Sequence, residues 1–457
     1  MASNDLRRKV VIDVWLNDYP VVPFFLTETR ELAAKFNAAH PRYYVNVVGR
    51  DHVILPTEVA EAARRGDPPA IVQSFYTSTQ LARDLLARDG SPLFTSIEKA
   101  IGGRTEILGV PVMVDDIVPA ARRYYTFDGE LAAMPPLTST TLLYTNKTLL
   151  DAAGVSTIPR TWDEIEAACK AVRALDNGPD AGITWPNHGW IFQQAIAQQG
   201  GLLADHDNGR SGRAETINLD SAEMLAFVQW WQRLHQEGHY LYTGTRSAGD
   251  DTFKAWLENF QTFANQRVAF ALSTSVEAED LVQAGRDSGF TVEVSRMPCN
   301  GGVSYAGNVI GGDSLWLADG LDETTRDGAL AFLQYMVNPR NAAERHKTSG
   351  FIPITKAAFD LLDAEGWWAE NPHHLAALEQ LGAGDDSAAA RGAVLGDFVG
   401  LQDVMTLAAH DVLVSGADPA VRFAQATREA QALLDDYNNH CLGKGPGPRG
   451  PNRFRVG

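Results

Sequence analysis

The chain has 457 residues, of which 45% are hydrophobic and 21% are charged. This composition is typical of globular proteins and excludes disordered, collagen-like and coiled-coil chains, and the length predicts two or three domains. The 57 Asp and Glu residues outnumber the 39 Lys and Arg residues, giving a formal net charge of −18. That charge argues against binding to nucleic acid or anionic lipid, because both need a basic surface.

The sequence has no apolar run that approaches the roughly 20 residues needed for a membrane helix. Its first residues lack the apolar stretch of a signal peptide. This leaves two alternatives open: a cytoplasmic protein, or an exported protein whose signal is missing from this chain. The three cysteines, Cys169, Cys299 and Cys441, are too far apart for a Cys-x-x-Cys motif and allow a single disulfide within the chain.

The first 90 residues alternate between strand-like and helix-like segments. Apolar runs predict strands and helical spacing of apolar residues predicts helices, in the order strand 10–16, helix 27–39, strand 43–48, helix 57–65, strand 70–75 and helix 78–87. Such alternation is typical of a parallel, doubly wound sheet.

Later helices have clear start and stop signals. A capping box, Thr161-Trp162-Asp163-Glu164, predicts a helix to about residue 175. Polar caps and Pro residues predict further helices over 221–238, 329–337 and from Asp418-Pro419 onward. The tail, 443–457, is rich in Gly, Pro and Arg, and we expect it to be flexible.

The sequence lacks the common motifs of nucleotide, metal and serine-nucleophile sites. His235 and His239 have a zinc-like spacing without an evident third ligand. The acid pairs Asp115-Asp116 and Asp250-Asp251 could suggest glycosidase carboxylates, but adjacent acids rarely face the same space. We therefore expect no catalytic residues, no metal site and no cofactor.

Three blocks in the second half of the chain resemble the extracytoplasmic substrate-binding proteins of carbohydrate ABC importers. They are Asn-Val-Ile-Gly-Gly-Asp-Ser-Leu-Trp at 308–316, Asn-Pro-Arg-Asn-Ala-Ala at 338–343, and Thr-Ser-Gly-Phe-Ile-Pro-Ile-Thr-Lys-Ala-Ala at 348–358. Within that family they look most like the sn-glycerol-3-phosphate/glycerophosphodiester-binding branch. The resemblance spans about residues 10–437.

The resemblance implies an α/β, two-lobed periplasmic-binding-protein fold, with parallel-rich sheets flanked by helices and the ligand in the cleft between the lobes. Three hinge crossings are expected near 137–140, 271–275 and 310–314, where Ser, Thr and Gly follow apolar strands. The corresponding division is an N-terminal lobe of 1–138 plus 273–312 and a C-terminal lobe of 139–272 plus 313–442, followed by the tail.

The resemblance also implies a set of ligand-binding residues. The positions that match the branch are two cleft serines, two glycines that let the backbone approach a ligand, and two tryptophans of the cleft floor: Ser139, Ser275, Gly311, Gly312, Trp185 and Trp190.

Four further positions of the implied site depart from the branch. Tyr76 replaces an acid, Phe351 replaces a tyrosine, and Gln402 replaces the arginine that would hold a phosphate. Asp313 replaces a small residue. Because phosphate recognition normally uses arginine, the loss of that arginine at Gln402 favours a neutral or amino-bearing ligand, and so does the carboxylate added at Asp313. An alternative alignment puts Arg391 in the arginine's role.

The resemblance thus implies a non-catalytic substrate-binding protein that delivers a sugar, amino sugar or polyol derivative to the transmembrane permease of an ABC importer. The alternatives are a glycerol-3-phosphate or glycerophosphodiester-binding protein of the same class, and an extracytoplasmic hydrolase. We expect a monomer without a nucleic-acid partner, either periplasmic or lipid-anchored to the cell surface, with its signal segment missing from this chain.

Overall fold

The computed structural model describes residues 9–19, 24–246 and 252–444. Thirteen strands lie in these described ranges: β1 (Val10–Asp18), β2 (Tyr43–Asp51), β3 (Ile71–Phe75), β4 (Phe94–Thr95), β5 (Glu106–Ile107), β6 (Val110–Pro111), β7 (Thr126–Phe127), β8 (Glu130–Leu131), β9 (Thr141–Asn146), β10 (Ala181–Thr184), β11 (Val268–Thr274), β12 (Val292–Arg296) and β13 (Asp313–Ala318).

Twenty α-helices lie in the same described ranges. They are α1 (Phe24–Ala39), α2 (Leu55–Arg65), α3 (Thr79–Asp84), α4 (Ile97–Ile101), α5 (Pro119–Tyr124), α6 (Lys147–Ala152), α7 (Trp162–Arg173), α8 (Gly189–Gln198), α9 (Asp205–Gly209), α10 (Ala222–Gln236), α11 (Thr252–Ala264), α12 (Ala278–Ser288), α13 (Glu323–Met336), α14 (Pro339–Ser349), α15 (Lys356–Ala364), α16 (Trp367–Glu370), α17 (Leu375–Gly382), α18 (Ala388–Arg391), α19 (Phe398–Val414) and α20 (Pro419–Cys441).

The first sheet contains five strands in the order β2-β1-β3-β13-β4. Strand β1 is parallel to β2 and β3, whereas β13 is antiparallel to β3 and β4. Ile12, Val14 and Leu16 of β1 are fully buried, and this period of two is what a strand with one packed face requires. The strand–helix alternation predicted for the first 90 residues is therefore confirmed.

The second sheet contains four strands in the order β10-β11-β9-β12. Strands β10 and β11 are parallel, and β9 is antiparallel to both of its neighbours. Every residue of β9 is buried, as expected for a central strand. Helix α7 packs against this sheet and begins with the predicted capping box between Thr161 and Glu164.

The chain passes between the sheets at the first and third predicted crossings, but the second prediction is wrong. After β11 the chain forms α12 and β12, and β12 pairs with β9 in the second sheet. It enters the first sheet only at β13, which pairs with β3. A later return precedes α17, which packs on β9 and β12.

This topology corrects the predicted lobe division after residue 273. Strand β12 places much of 273–312 in the second lobe, and β13 places the start of 313–442 in the first. The apolar strands gave no indication of their pairing partners, so the sequence alone located the breaks but not the sheet that follows each one. The predicted tail lies outside the described residues from 445 onward.

Two further expectations concern the membrane and the cysteines. Within the described ranges, no helix combines the length and the apolar character needed to cross a membrane. Cys169, Cys299 and Cys441 are all free thiols, so the disulfide that the sequence allowed does not form.

Candidate ligand-binding site

The three segments rich in Ser, Thr and Gly lie side by side where the lobes join. The backbone amide of Ser139 donates to the Gly311 carbonyl at 3.1 Å, and the Gly311 amide donates back to Ser139 at 2.9 Å. The Ser275 amide donates to the Thr140 carbonyl at 2.7 Å, and the Ser275 hydroxyl accepts the Thr140 amide at 3.1 Å. The structure thus brings together Ser139, Ser275 and Gly311, which are distant in sequence.

Both predicted glycines are required by close approaches within the chain. A Cβ on Gly311 would lie 2.8 Å from the Trp190 ring. A Cβ on Gly312 would lie 2.2 Å from the Leu137 carbonyl oxygen, and its φ of 110° is strained for any other residue. Their immediate role is to let the crossing segments and an indole ring pack closely.

The two predicted tryptophans occupy different environments. Trp190 lies at the junction, where its indole N–H donates to the Ile310 carbonyl at 3.3 Å. Trp185 instead lies in the core of the second lobe, with its ring centroid 5.5 Å from that of Trp230 and 4.5 Å from that of Tyr240. Its placement on the cleft floor is therefore wrong, because these rings cover it on the inside of the lobe.

Asp313 belongs to a polar group at the carboxyl ends of β1 and β3. The Tyr19 hydroxyl donates to Asp313 Oδ1 at 3.2 Å, and Asn17 Nδ2 donates to the Tyr19 hydroxyl at 3.0 Å. The Asn17 backbone amide donates to Gln73 Oε1 at 2.9 Å. Burial raises the pKa of Asp313 to about 6, because an ionised carboxylate is poorly solvated there.

A small cavity with a volume of about 10 Å³ lies beside this polar group; its lining residues are Asn17, Tyr19, His52, Pro56, Gln73, Ser74 and Phe75. The ring of His52 is 5.1 Å from Tyr19 and 6.3 Å from Phe253 of α11. Helix α11 packs on the second sheet, so the pocket opens toward the other lobe. The cavity has room for about one water molecule, so a larger ligand would need the lobes to separate here; the hydroxyl, amide and aromatic groups of its lining are of the kinds that contact polar ligands.

A neutral contact connects the lobes next to this group. Tyr76 follows β3, and its hydroxyl accepts hydrogen bonds from Gln193 Nε2 at 3.3 Å and from Gln402 Nε2 at 3.0 Å. Gln193 lies on α8 and Gln402 on α19, and both helices pack with each other in the second lobe. Burial raises the pKa of the Tyr76 phenol, so this contact is uncharged at neutral pH.

A charged contact connects the lobes farther along α3. Arg213 Nη1 donates to Asp84 Oδ2 at 2.9 Å, and Arg213 Nη2 pairs with the other oxygen. The Tyr437 hydroxyl donates to Asp84 Oδ2 at 2.9 Å. The carboxylate is 8% exposed, so this is a largely buried ion pair.

Two other expected residues lie away from the pocket. Phe351 is half-buried with its ring 5.7 Å from Phe24, and the following amide of Ile352 donates to Thr138 beside the first crossing. Arg391 is exposed, and its Nε donates to the Asp386 carbonyl. The guanidinium of Arg391 is therefore engaged within its own loop in this structure.

The structure shows how the histidine pair and one of the two acid pairs noted in the sequence are arranged. Helix α10 ends at Gln236, so His235 and His239 do not share a helix face. Asp115 is 93% exposed, whereas Asp116 Oδ2 accepts the Ala357 amide at 2.9 Å. The pair Asp250-Asp251 lies outside the described residues.

Sequence reasoning missed three aromatic residues of the junction. Tyr19 contacts Asp313, and Trp256 lies 6.1 Å from Trp190 and 5.4 Å from His188. Ligands of open α/β sheets bind beyond the carboxyl ends of the strands, so the position of Tyr19 just after β1 was a usable signal. Trp256 and His188 carried no comparable signal, because only the folded chain brings α8 and α11 together.

Comparison with known proteins gives relatives in sequence and in structure. The sn-glycerol-3-phosphate-binding periplasmic protein UgpB of Escherichia coli K12 is 28% identical over 363 residues, which cover 78% of this chain and 77% of the relative. The sugar-binding protein MalE of Xanthomonas citri has a TM-score of 0.72 at 18% identity, covering 96% of this chain and all of that chain (100%).

A third relative has been solved with a ligand. UgpB from Mycobacterium tuberculosis, in complex with glycerophosphocholine, has a TM-score of 0.68 at 22% identity and covers 94% of this chain and 99% of that chain. These likenesses confirm the two-lobed periplasmic-binding-protein fold. A family model described as bacterial extracellular solute-binding protein matches residues 31–377. The chain therefore belongs to the bacterial extracellular solute-binding proteins.

Proposed function

We propose that this solute-binding protein captures a neutral or amino-bearing sugar or polyol derivative between its lobes and delivers it to the permease of an ABC importer. The observation that carries the proposal is the buried Asp313 carboxylate beside the pocket. In the described part of the chain, no Lys, Arg or His side chain forms an ion pair with it. A carboxylate held by neutral donors is suited to accept hydrogen bonds from hydroxyl groups or to pair with a ligand ammonium.

The neutral Tyr76–Gln402 contact also supports this ligand class. Amides and phenols can exchange hydrogen bonds with a sugar, but they do not offset the charge of a phosphate. A unit-charge pair at 4 Å interacts by roughly 4 kcal/mol at an effective dielectric constant of 20, so a phosphate near Asp313 would be repelled by several kcal/mol. The remaining expected residues, Ser139 and Ser275 with the backbone at Gly311 and Gly312, would supply further polar contacts once a ligand is bound.

The names of the relatives support a second candidate, a glycerol-3-phosphate or glycerophosphodiester-binding protein. Glycerophosphocholine would present a quaternary ammonium as well as a phosphate, and Asp313 is suited to the first group and unfavourable for the second. The difference between the two candidates is therefore the presence of a cation close to the ligand phosphate. Arg391 is the cation that sequence alignment offered, and its side chain points to the Asp386 carbonyl.

Calorimetry with glycerol 3-phosphate, glycerophosphocholine, a neutral disaccharide and an amino sugar tests the proposal. We expect binding of the sugars and none of glycerol 3-phosphate. For an amino sugar, affinity should rise between pH 5 and pH 7 as the Asp313 carboxyl, with its pKa of about 6, ionises. The Asp313→Asn variant should lose this pH dependence, whereas Asp115→Asn, an exposed control, should keep it.

Micromolar binding of glycerol 3-phosphate with no response to the sugars would contradict the proposal and favour the second candidate. An Arg391→Ala variant would then show whether that side chain holds the phosphate after movement of its loop.

The remaining parts of the proposal concern chemistry, assembly and location. The protein acts without catalysis, as a monomer, outside the cytoplasm and either free in the periplasm or lipid-anchored. Incubation with the same four compounds followed by product analysis tests the first point. Turnover above background would favour an extracytoplasmic hydrolase instead.

A further inference from the structure

A cluster of metal-ligating side chains lies away from the lobe junction. Glu279, His373 and His374 each offer one ligand atom, and these atoms all lie within 4.8 Å of one another. His373 Nε2 is 2.7 Å from Glu279 Oε2, and His374 Nε2 is 3.8 Å from the same oxygen. We propose that this cluster binds a divalent cation of the zinc type.

The ligand set suits zinc in number and kind. Zinc binds imidazole nitrogen and carboxylate oxygen at about 2.0–2.2 Å. Zinc sites with an open coordination position combine three protein ligands with a water molecule. One carboxylate and two imidazoles would fill three positions of a tetrahedron. The contact between His373 and Glu279 would have to widen slightly to admit the ion, because two ligands of one tetrahedral ion lie more than 3 Å apart at these bond lengths.

The local fold holds the two imidazoles in place. His373 and His374 lie on the 3-10 helix Pro372–His374, in which the proline fixes the backbone of the first residue. Their ring centroids are 4.4 Å apart, and their side chains are 9% and 4% exposed. Glu279 lies in the first turn of α12 and is 46% exposed, so the cluster is reachable from solvent on the carboxylate side.

A third histidine gives a second, independent indication. His346 is 2% exposed, its ring centroid is 4.8 Å from that of His374, and its Nδ1 bonds the Phe351 carbonyl at 2.8 Å. In the described structure its Nε2 has no hydrogen-bond partner. A buried polar atom of this kind costs free energy unless something satisfies it. A cation with bound water beside His374 would provide that partner.

The position of the cluster defines what the cation would do. Glu279 belongs to the second lobe, whereas His373 and His374 lie on the segment by which the chain returns to that lobe between α16 and α17. A bound ion would tie this returning segment to α12. We therefore expect binding to raise the thermal-unfolding midpoint, because the ion binds only the folded arrangement.

Titration of tag-free, EDTA-treated protein with ZnCl₂ by calorimetry tests the proposal. We expect one ion per chain and a rise in the unfolding midpoint. Glu279→Gln and His374→Ala should each weaken zinc binding by about 100-fold or more, since even groups outside the ligand shell typically change metal affinity by 10- to 100-fold. CoCl₂ should give the visible absorption of a tetrahedral site, and both variants should lose it.

The chain offers a matched control in His239. Its Nε2 lies 3.4 Å from Glu237 Oε2 in a similar His–Glu pair, but the described residues provide no third ligand there. His239→Ala should bind zinc as the wild type does. Glu279→Gln changes a half-exposed residue and keeps the test meaningful if His374→Ala fails to fold. Absence of stoichiometric zinc binding, equal binding by Glu279→Gln, or an octahedral cobalt spectrum would each overturn the proposal.

Discussion

Trp185 and Trp190 are close in sequence, yet one lies in the aromatic core of the second lobe and the other at the lobe junction. Around Trp185 the contacts are rings: Trp162 stacks on Trp230 with centroids 4.9 Å apart, and Trp230 stacks on Trp185. At the junction, buried groups are largely polar, and Asp313 has a raised pKa. Burial is nearly complete in both regions, so burial alone does not distinguish a structural residue from a binding residue.

The difference indicates what each region contributes. Removal of apolar area from water stabilises the aromatic core, and truncation there leaves a cavity. Burial of the Asp313 carboxylate opposes folding, and carboxyl groups with a pKa raised in this way are enriched at functional sites. Substitutions in the core should therefore destabilise the protein, whereas one at the junction should stabilise it.

The largest expected effect is in the aromatic core. Trp185→Ala should lower the free energy of unfolding by about 3–5 kcal/mol, as large-to-small core substitutions do. Trp185→Phe should cost much less, because it keeps ring packing and removes an indole N–H that has no partner among the described residues. Urea unfolding of both variants measures this. Equal losses of unfolding free energy in the two variants would contradict a stabilising role for ring packing at this position.

The next largest loss of unfolding free energy should come from breaking the charged contact between the lobes. Asp84→Asn removes the partner of Arg213 and should lower the free energy of unfolding by about 3 kcal/mol, the lower end for a broken buried pair. Asp151→Asn, at the exposed Lys147–Asp151 pair, is the control and should cost less than about 1 kcal/mol.

The same variant tests lobe motion. If Asp84 and Arg213 hold the lobes together, small-angle scattering of ligand-free Asp84→Asn should give a larger radius of gyration than the wild type, and a saturating ligand should reduce it. An unchanged radius in both conditions would mean that the lobes do not move about the crossings.

Replacing Asp313 should raise the free energy of unfolding at neutral pH, whereas the two substitutions above lower it. Its folded pKa of about 6 exceeds its ordinary value of 3.8, so the folded state holds the proton more tightly. The contribution of this group to the free energy of unfolding is thus greatest below about pH 4. It falls as the pH rises through about 6, by about 3 kcal/mol in total. Asp313→Asn should remove this decline and be more stable than the wild type at pH 7.5. A less stable variant, or an unchanged pH profile, would show that the carboxylate is not strained by burial.

Much of the fold was predictable from local signals. The period of two in β1, the cap at Thr161 and the breaks at the crossings each depend on a few neighbouring residues. The pairing of β12 with β9 and of β13 with β3 depends on contacts between segments far apart in sequence. The lobe assignment after residue 273 therefore failed although the segments themselves were found.

The site was predictable to a smaller degree. Resemblance pointed to Ser139, Ser275 and Gly311, and the structure brings them together through backbone hydrogen bonds, while their contact with a ligand stays a prediction. It could not separate Trp185 from Trp190, since both are tryptophans near the start of α8 in a segment with Gly and Pro. The rings of Trp230, Trp231 and Tyr240 that surround Trp185 distinguish the two, and only the folded chain brings them there.

The smallest expected effect concerns Trp190 itself. Its ring lies where a Cβ on Gly311 would approach to 2.8 Å, so ring and crossing segment are in contact. If the ring also supports the apolar face of a sugar, Trp190→Ala should weaken ligand binding by about 1 kcal/mol, or roughly 5-fold, through lost stacking. Calorimetry with the best-binding sugar measures this, and Trp185→Phe should leave the affinity unchanged.

A second substitution separates direct contact from indirect disturbance. Gly311→Ala should impair binding in the wild type because the new methyl group meets the indole. The same change in a Trp190→Ala background should have little further effect, because the obstructing ring is gone. Additive losses in the double variant would show that Gly311 and Trp190 act independently. Unchanged affinity in Trp190→Ala would place the aromatic platform elsewhere, and half-buried Trp256 would then be the next position to change.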